Sequence, residues 1–269
     1  MTKLNFAIIG LLTLAAACGQ GPQQPAETPA TPAPEEPTKP EEPTKPEETE
    51  VWTPVPNKVD PFGQNGAPSD AIILFDGSHL DRWISAADST AAQWNINADG
   101  SMTVANGTGD IQTKDNFGSV QLHVEWRSSP ENTASGQAKS NSGVYLQSRY
   151  EVQVLDNNDN PTYVNGMVGS LYKQSPPLVM ASVPTGSWNT YDIIYHAPEF
   201  DAQGSMIVAP NITVLQNGVL IQDRFDLQGT TEYIGWPKVS AHEPGPIKLQ
   251  DHNDHSGVSY RNIWVRPLN

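Results

Sequence analysis

Strict alternation of apolar and polar residues narrows the fold more than any other property of this chain. Val120, Leu122, Val124 and Trp126 are separated by Gln121, His123 and Glu125. A period of two puts the first set on one face of a strand and the second on the other. Ser142–Asp156 repeats the pattern as one long strand, with Val144, Leu146, Val152 and Val154 on one parity. Ile212–Gln222 reads as a hairpin around Asn217-Gly218, a pair that supplies the two positive φ angles of a type I′ turn. Tyr191–His196, Pro246–His252 and Ser259–Arg266 add further strands, and few segments combine a helical period with useful length. Residues 66–269 are therefore expected to form an all-β fold, an antiparallel β-sandwich or jelly roll.

The N-terminus has a different grammar. Lys3 precedes the apolar stretch Leu4–Leu14, and Ala15-Ala16-Ala17 leads into Cys18. This order is that of an export signal, and its ending resembles a bacterial lipobox. Residues 1–17 are thus expected to be a signal peptide and Cys18 the lipid anchor. Gly19 rather than Asp after the Cys resembles Gram-negative lipoproteins of the outer membrane, so the expected location is the bacterial cell envelope. Residues 18–65 are rich in Pro, Glu and Thr, with Glu35–Pro40 repeated as Glu41–Pro46. They offer almost nothing apolar to bury, which predicts a disordered, extended tether.

Composition removes several functions. The net charge is −15, with 15 basic against 30 acidic residues, so no basic footprint exists for nucleic acid. Cys18 is the single cysteine, which excludes an internal disulfide and any multi-Cys zinc site. No apolar run reaches the ~18 residues of a spanning helix.

The polar parity of Ser142–Asp156 carries Tyr145, Gln147, Arg149, Glu151 and Gln153. Alternate residues of a strand stand ~6.7 Å apart on one face, so this row is a candidate groove. Lys248, Gln250 and His252 likewise point away from Ile247 and Leu249. Asp251, His252, Asp254 and His255 make a weak candidate site for a divalent metal, with no specific ligand spacing. Trp94, Trp126, Trp188 and Trp264 read as core residues, whereas Trp83 and Trp236 lie in turn-rich stretches where stacking on a sugar is possible.

Seven motifs in order resemble the 3-keto-disaccharide hydrolase family. They are Ile73–Trp83, Asn141–Leu146, Tyr150–Asp156, Gly169–Tyr172, Trp188-Asn189 with Tyr191-Asp192, Gly245–His252, and Arg261–Leu268. Gln147 departs from the pattern, standing where many members carry Arg. The resemblance implies a concanavalin A-like, glucanase-type jelly roll acting on glucosides with a ketone at C3. The ketone acidifies the C2 proton, a base removes it, the C1 leaving group departs, and water adds. On this resemblance Glu151 is the base and His252 the acid. Asn141, Gln147, Arg149, Gln153, Tyr172 and Gln250 would contact the sugar. No cofactor is required with certainty, and a partner sugar 3-dehydrogenase would supply the oxidised substrate. Two alternatives stay open: a non-catalytic carbohydrate-binding lipoprotein, and a conventional jelly-roll glycosidase. The latter needs paired carboxylates ~5–5.5 Å apart if retaining, and Val152, Gln153 and Val154 follow Glu151 where laminarinase-like enzymes have their Glu-x-Asp-x-x-Glu signature.

Overall fold

A computed structural model describes residues 42–268. The expected signal peptide, the expected anchor Cys18 and the first part of the expected tether lie outside the described residues. The chain divides into two units between Pro56 and Asn57. In the first, residues 42–56 hold one short 3-10 turn, Pro46–Thr49, and bury no side chain. Ala67 is the first buried residue of the second unit.

Fifteen strands and a few 3-10 turns build that second unit. The larger sheet runs, in spatial order, β13 (Val219–Asp226), β12 (Asn211–Gln216), β9 (Asn189–His196), β6 (Val120–Arg127), β15 (Ser259–Pro267), β4 (Met102–Thr103) and β3 (Asn95–Ile96). β1 (Ile72–Phe75) also pairs with β15. The smaller sheet runs β2 (Trp83–Ser85), β5 (Ile111–Thr113), β14 (Lys248–Leu249), β7 (Ser142–Leu146) and β8 (Tyr150–Val154). β10 (Glu199–Phe200) and β11 (Met206–Val208) form a separate ribbon. Every pairing is antiparallel. The result is the two-sheet jelly roll that the alternation predicts.

In β6 the four apolar residues are buried and the four polar ones half-buried, residue by residue as the period requires. Asn217 and Gly218 close the β12–β13 hairpin with φ of 53° and 77°, the pair of left-handed residues a type I′ turn needs. The inner faces of both sheets share one core that includes Val124, Trp126, Tyr191, Ile193, Val144, Val152 and Leu249.

Two expectations change. Ser142–Asp156 is a hairpin rather than a single strand. Gln147 and Ser148 both have positive φ, 53° and 56°, and Arg149 N–H donates back to the Leu146 carbonyl at 3.0 Å. Neither residue belongs to the usual left-handed set, so the turn leaves no mark in the sequence. The second change concerns tryptophan. Trp83 is buried, its indole N–H bonded to the Leu74 carbonyl at 2.9 Å. Trp188 is not core: it lies between the guanidinium groups of Arg127 and Arg261, 4.6 and 4.2 Å from its ring. Cation–π attraction replaces hydrophobic burial there.

Three tyrosines of the larger sheet reach across the core to the β7–β8 hairpin. Tyr260 donates to Ser142 Oγ at 2.7 Å, Tyr195 to Gln147 Oε1 at 2.8 Å, and Tyr191 to the Gln153 carbonyl at 2.7 Å. Each satisfies a polar group that would otherwise be stranded in an apolar interior. Together they fix the hairpin at its start, its turn and its far arm.

Candidate active site

Both faces of β7 and β8 are buried. The even residues Val144, Leu146, Val152 and Val154 face the core. The odd face is roofed by three stretches of irregular chain around Gln137, Tyr172 and Thr231, leaving a cavity of ≈ 190 Å³. Registry explains why the odd residues still meet after the strand folds back. Tyr145 pairs with Glu151 and Gly143 with Gln153, because the loop between the arms has an odd number of residues.

Glu151 is at the centre and 4 % exposed. Burial pushes its carboxyl up to about 7, against the pull of a hydrogen bond from Tyr145 and the positive charge of Lys248 and His252. Its backbone N–H donates to Thr231 Oγ1 at 3.0 Å. With its amide nitrogen turned toward Glu151, Gln153 donates to Oε1 at 2.9 Å, an orientation assigned from the hydrogen-bond network. Gly143 makes room for that carboxylate: a Cβ there would meet Glu151 Oε1 at 2.4 Å.

Tyr145 stands beside Glu151. Burial holds its phenol well above its ordinary value, so it remains a donor. Gln250 Nε2 approaches the hydroxyl at 3.3 Å. Lys248 lies 4.0 Å from the Tyr145 ring and is paired with Asp110 at 2.7 Å.

His252 lines the same cavity with its ring 37 % exposed. Its Nδ1 is 2.7 Å from Asp254 Oδ2, and that hydrogen bond, with the nearby charges of Asp254, Glu151 and Asp251, raises its pKa against the opposing effect of burial. The ring is therefore biased toward its protonated form. Asn141 donates to the Gln137 carbonyl at 2.6 Å. Asn141 Oδ1 and Gln250 Oε1 are buried and accept no hydrogen bond from the described residues. Two such acceptors in one cavity suit the hydroxyl groups of a ligand.

Of the residues expected from sequence, Asn141, Glu151, Gln153, Tyr172, Gln250 and His252 come together here. Gln147 and Arg149 do not. Gln147 sits in the core, donating to the Phe117 carbonyl at 3.0 Å and accepting from Tyr195. Arg149 bonds to the Gln147 carbonyl at 3.0 Å. No ion pair joins it to Glu151 among the described residues. The turn at Gln147-Ser148 rotates both away from the groove. Sequence reasoning missed Gln137, Thr231 and Tyr233, which come from irregular loops with no period to reveal them. Tyr145 was on the polar parity but not singled out.

The metal candidates do not gather. Asp251 Oδ2 accepts backbone N–H bonds from Gly107 and Gly109 at 2.8 and 3.1 Å. His252 is engaged with Asp254, and among the described residues no three His, Cys, Asp or Glu side chains form a metal-holding group.

Glu151 is the one carboxylate among the described residues lining the cavity. A paired-carboxylate glycosidase has no second member here. Fold and cavity together define a two-sheet jelly roll with a buried cleft lined by a single carboxylate among the described residues. The chain belongs to the 3-keto-alpha-glucoside-1,2-lyase-like domain family, whose profile matches residues 70–266. It is similar to a crystal structure of a candidate glycosyl hydrolase from Parabacteroides distasonis. Sequence identity is 49 %, coverage is 83 % of this chain and 97 % of that one, and the TM-score is 0.80. A second candidate glycosyl hydrolase of that organism shares the fold at 18 % identity and TM-score 0.55, with 74 % and 94 % of the two chains covered. No curated protein matches the chain.

Proposed function

We propose that this protein cleaves 3-keto-glucosides by elimination and hydration. Glu151 is the base and His252 the acid. The observation that carries the reading is a buried carboxyl with its pKa near 7, facing the same cavity as a proton-biased imidazole. A base of that pKa is half ionised at neutral pH, where it both accepts and returns protons readily. In the forward direction Glu151 takes the C2 proton, the electron pair forms the C1–C2 double bond through the enolate, and the C1–O bond breaks. His252 delivers a proton to the departing oxygen. Water then adds: its oxygen bonds to C1, His252 takes back a proton, and Glu151 returns one to C2. Both groups end as they began.

Gln153 fixes the carboxylate and Tyr145 stands against it. The amide of Gln250 and Oδ1 of Asn141 orient sugar hydroxyls, and Tyr172 closes one wall. The enzyme acts as an exported lipoprotein of the cell envelope, anchored through Cys18 to the outer membrane. A separate sugar 3-dehydrogenase supplies its substrate, because the ketone must be made by oxidation and this reaction is redox-neutral.

The test is turnover of a 3-keto-glucoside by the full chain and by Glu151→Gln, with exchange of the C2 hydrogen followed in D₂O. The expected result is loss of both exchange and cleavage in the variant. Full turnover by a folded Glu151→Gln protein overturns the base assignment. Cleavage of unoxidised glucosides alone points to a conventional glycosidase, and binding without any product points to a carbohydrate-binding module.

A further inference from the structure

The cavity around Glu151 shares lining residues with a second compartment, and that one with a third. The middle one, of ≈ 630 Å³, shares Gln137, Tyr172, Tyr233 and His252 with it. The outer one, of ≈ 230 Å³, shares Tyr172 and Lys173 with the middle and is bounded by Asn165, Glu232 and Trp236. His252 lies on both the inner and middle compartments, so a leaving group protonated by it would sit in the middle one.

The outer wall belongs to the loop Gly229–Lys238, which combines exposed apolar rings with an unusually braced backbone. Trp236 is 87 % and Tyr233 75 % exposed. Large rings held out in water need an explanation, since burial would stabilise them. Their exposure does not come from slack. Thr230 N–H donates to the Lys238 carbonyl at 2.9 Å and closes the neck of the loop. Gly229 has φ of 148°, and a Cβ there would meet the Lys238 carbonyl oxygen at 2.6 Å, so the two backbones touch. Glu232 accepts from Thr230 Oγ1 at 2.9 Å and from Lys238 Nζ at 3.2 Å. Lys173 donates to the Tyr233 carbonyl, and its Nζ is 4.8 Å from the Tyr233 ring and 5.3 Å from that of Tyr172. Thr231 connects the loop to the Glu151 backbone.

We infer that the outer compartment is a third sugar subsite, with Trp236 as its stacking platform, so that the site favours glucosides whose leaving group carries a second pyranose ring. This rests on the proposed carbohydrate function and specifies its substrate class. The inner compartment takes the oxidised ring, the middle one the first leaving-group ring, and the outer one the next. An aromatic face receives the C–H face of a pyranose, while Asn165, Glu232 and Lys173 line the same compartment and offer polar groups to its hydroxyls. A flat aromatic leaving group would gain from Trp236 and leave those polar groups unused.

The experiment is calorimetric titration of the full chain with α- and β-1,4-linked glucose disaccharides and trisaccharides, alongside kcat/KM on their 3-keto forms. In the linkage series the protein accepts, the third ring is expected to raise affinity about three- to tenfold. Trp236→Ala should abolish that increment and leave disaccharide affinity within about twofold, and Trp236→Phe should keep part of it. An increment that is absent in both series, or that survives in Trp236→Ala, overturns the subsite. Binding that shows the increment without any turnover counts against the proposed reaction and leaves the subsite standing. Turnover with no effect of the third ring does the reverse.

Discussion

Gly143→Ala tests the site through a residue that makes no chemical contribution of its own. Gly143 lies opposite Gln153 in the β7–β8 ladder. Its φ is outside the left-handed region, so alanine strains no backbone. The added methyl would stand 2.4 Å from Glu151 Oε1, 2.8 Å from Tyr145 Cε2 and 3.1 Å from Glu151 Cδ, where ordinary contact begins near 3.4 Å. The carboxylate must therefore retreat by about 1 Å, a displacement of reacting groups that costs on the order of 10²-fold in rate. That is ~2.7 kcal/mol of barrier. Adding one methyl to packed surroundings also costs about 1–3 kcal/mol of stability. The assay is kcat/KM on a 3-keto-glucoside beside the denaturant midpoint. Glu151→Asp in the Gly143→Ala background shortens the side chain by one methylene and should recover part of the loss. The two substitutions together should then cost less than their separate effects combined. A folded Gly143→Ala protein within about threefold of wild-type kcat/KM would refute the claim that the exact seat of Glu151 sets the rate.

Further predictions concern pH and the hairpin. A base must be ionised to act, so in the proposed role of Glu151 kcat/KM should rise with pH through about 7, and a profile flat between pH 5 and 9 contradicts that role. Its folded pKa lies above the ordinary 4.5, so the folded state binds more protons between those values and stability falls as pH rises from 4.5 to about 7. Glu151→Gln should accordingly gain up to ~3 kcal/mol of stability relative to wild type above pH 7, read from urea midpoints against pH. His123 behaves oppositely: burial disfavours its charge, but hydrogen bonds and charge from Asp192 and Glu125 raise its pKa to about 9. Its contribution is complete below about 6.5 and lost as pH rises through about 9, so His123→Asn should flatten the alkaline limb of the stability curve. Gln147→Ala should lose ~1–3 kcal/mol of stability by stranding the buried Tyr195 hydroxyl, with kcat/KM unchanged in the folded fraction. A specific loss of kcat at unchanged stability would return Gln147 to the site.

How much the sequence disclosed follows from what each element rests on. Alternation in β6 and the Asn217-Gly218 turn are local properties, set by period and by positive φ, and both are written in the residues themselves. The site was legible to the extent that it lies on alternation and motif position: Glu151 and Gln153, and likewise Gln250 and His252, needed the rule that alternate residues share a face together with the family motifs they stand in. Gln147 and Arg149 obeyed the same parity and were still misplaced, because the turn between them uses Gln and Ser in conformations those residues seldom adopt. The cavity roof was illegible for a different reason. Gln137, Thr231 and Tyr233 are held by hydrogen bonds between distant loops, such as Thr231 N–H to the Arg149 carbonyl at 2.8 Å, and no spacing along the chain encodes such a contact. Trp188 failed as a core residue because the two arginines beside it come from β6 and β15, far away in sequence.

The odd-numbered loop at Gln147–Arg149 makes the candidate site sensitive to length as a reading frame is. Removing or adding one residue there would exchange the two faces of β8, turning Val152 toward the groove and Glu151 into the core. A change of two would keep the faces and slide the base along Tyr145. Point substitutions in the turn are thus a far milder hazard to the site than a single-codon deletion, and lineages that retain the Glu151 groove should vary the identity of these three residues while holding their number fixed.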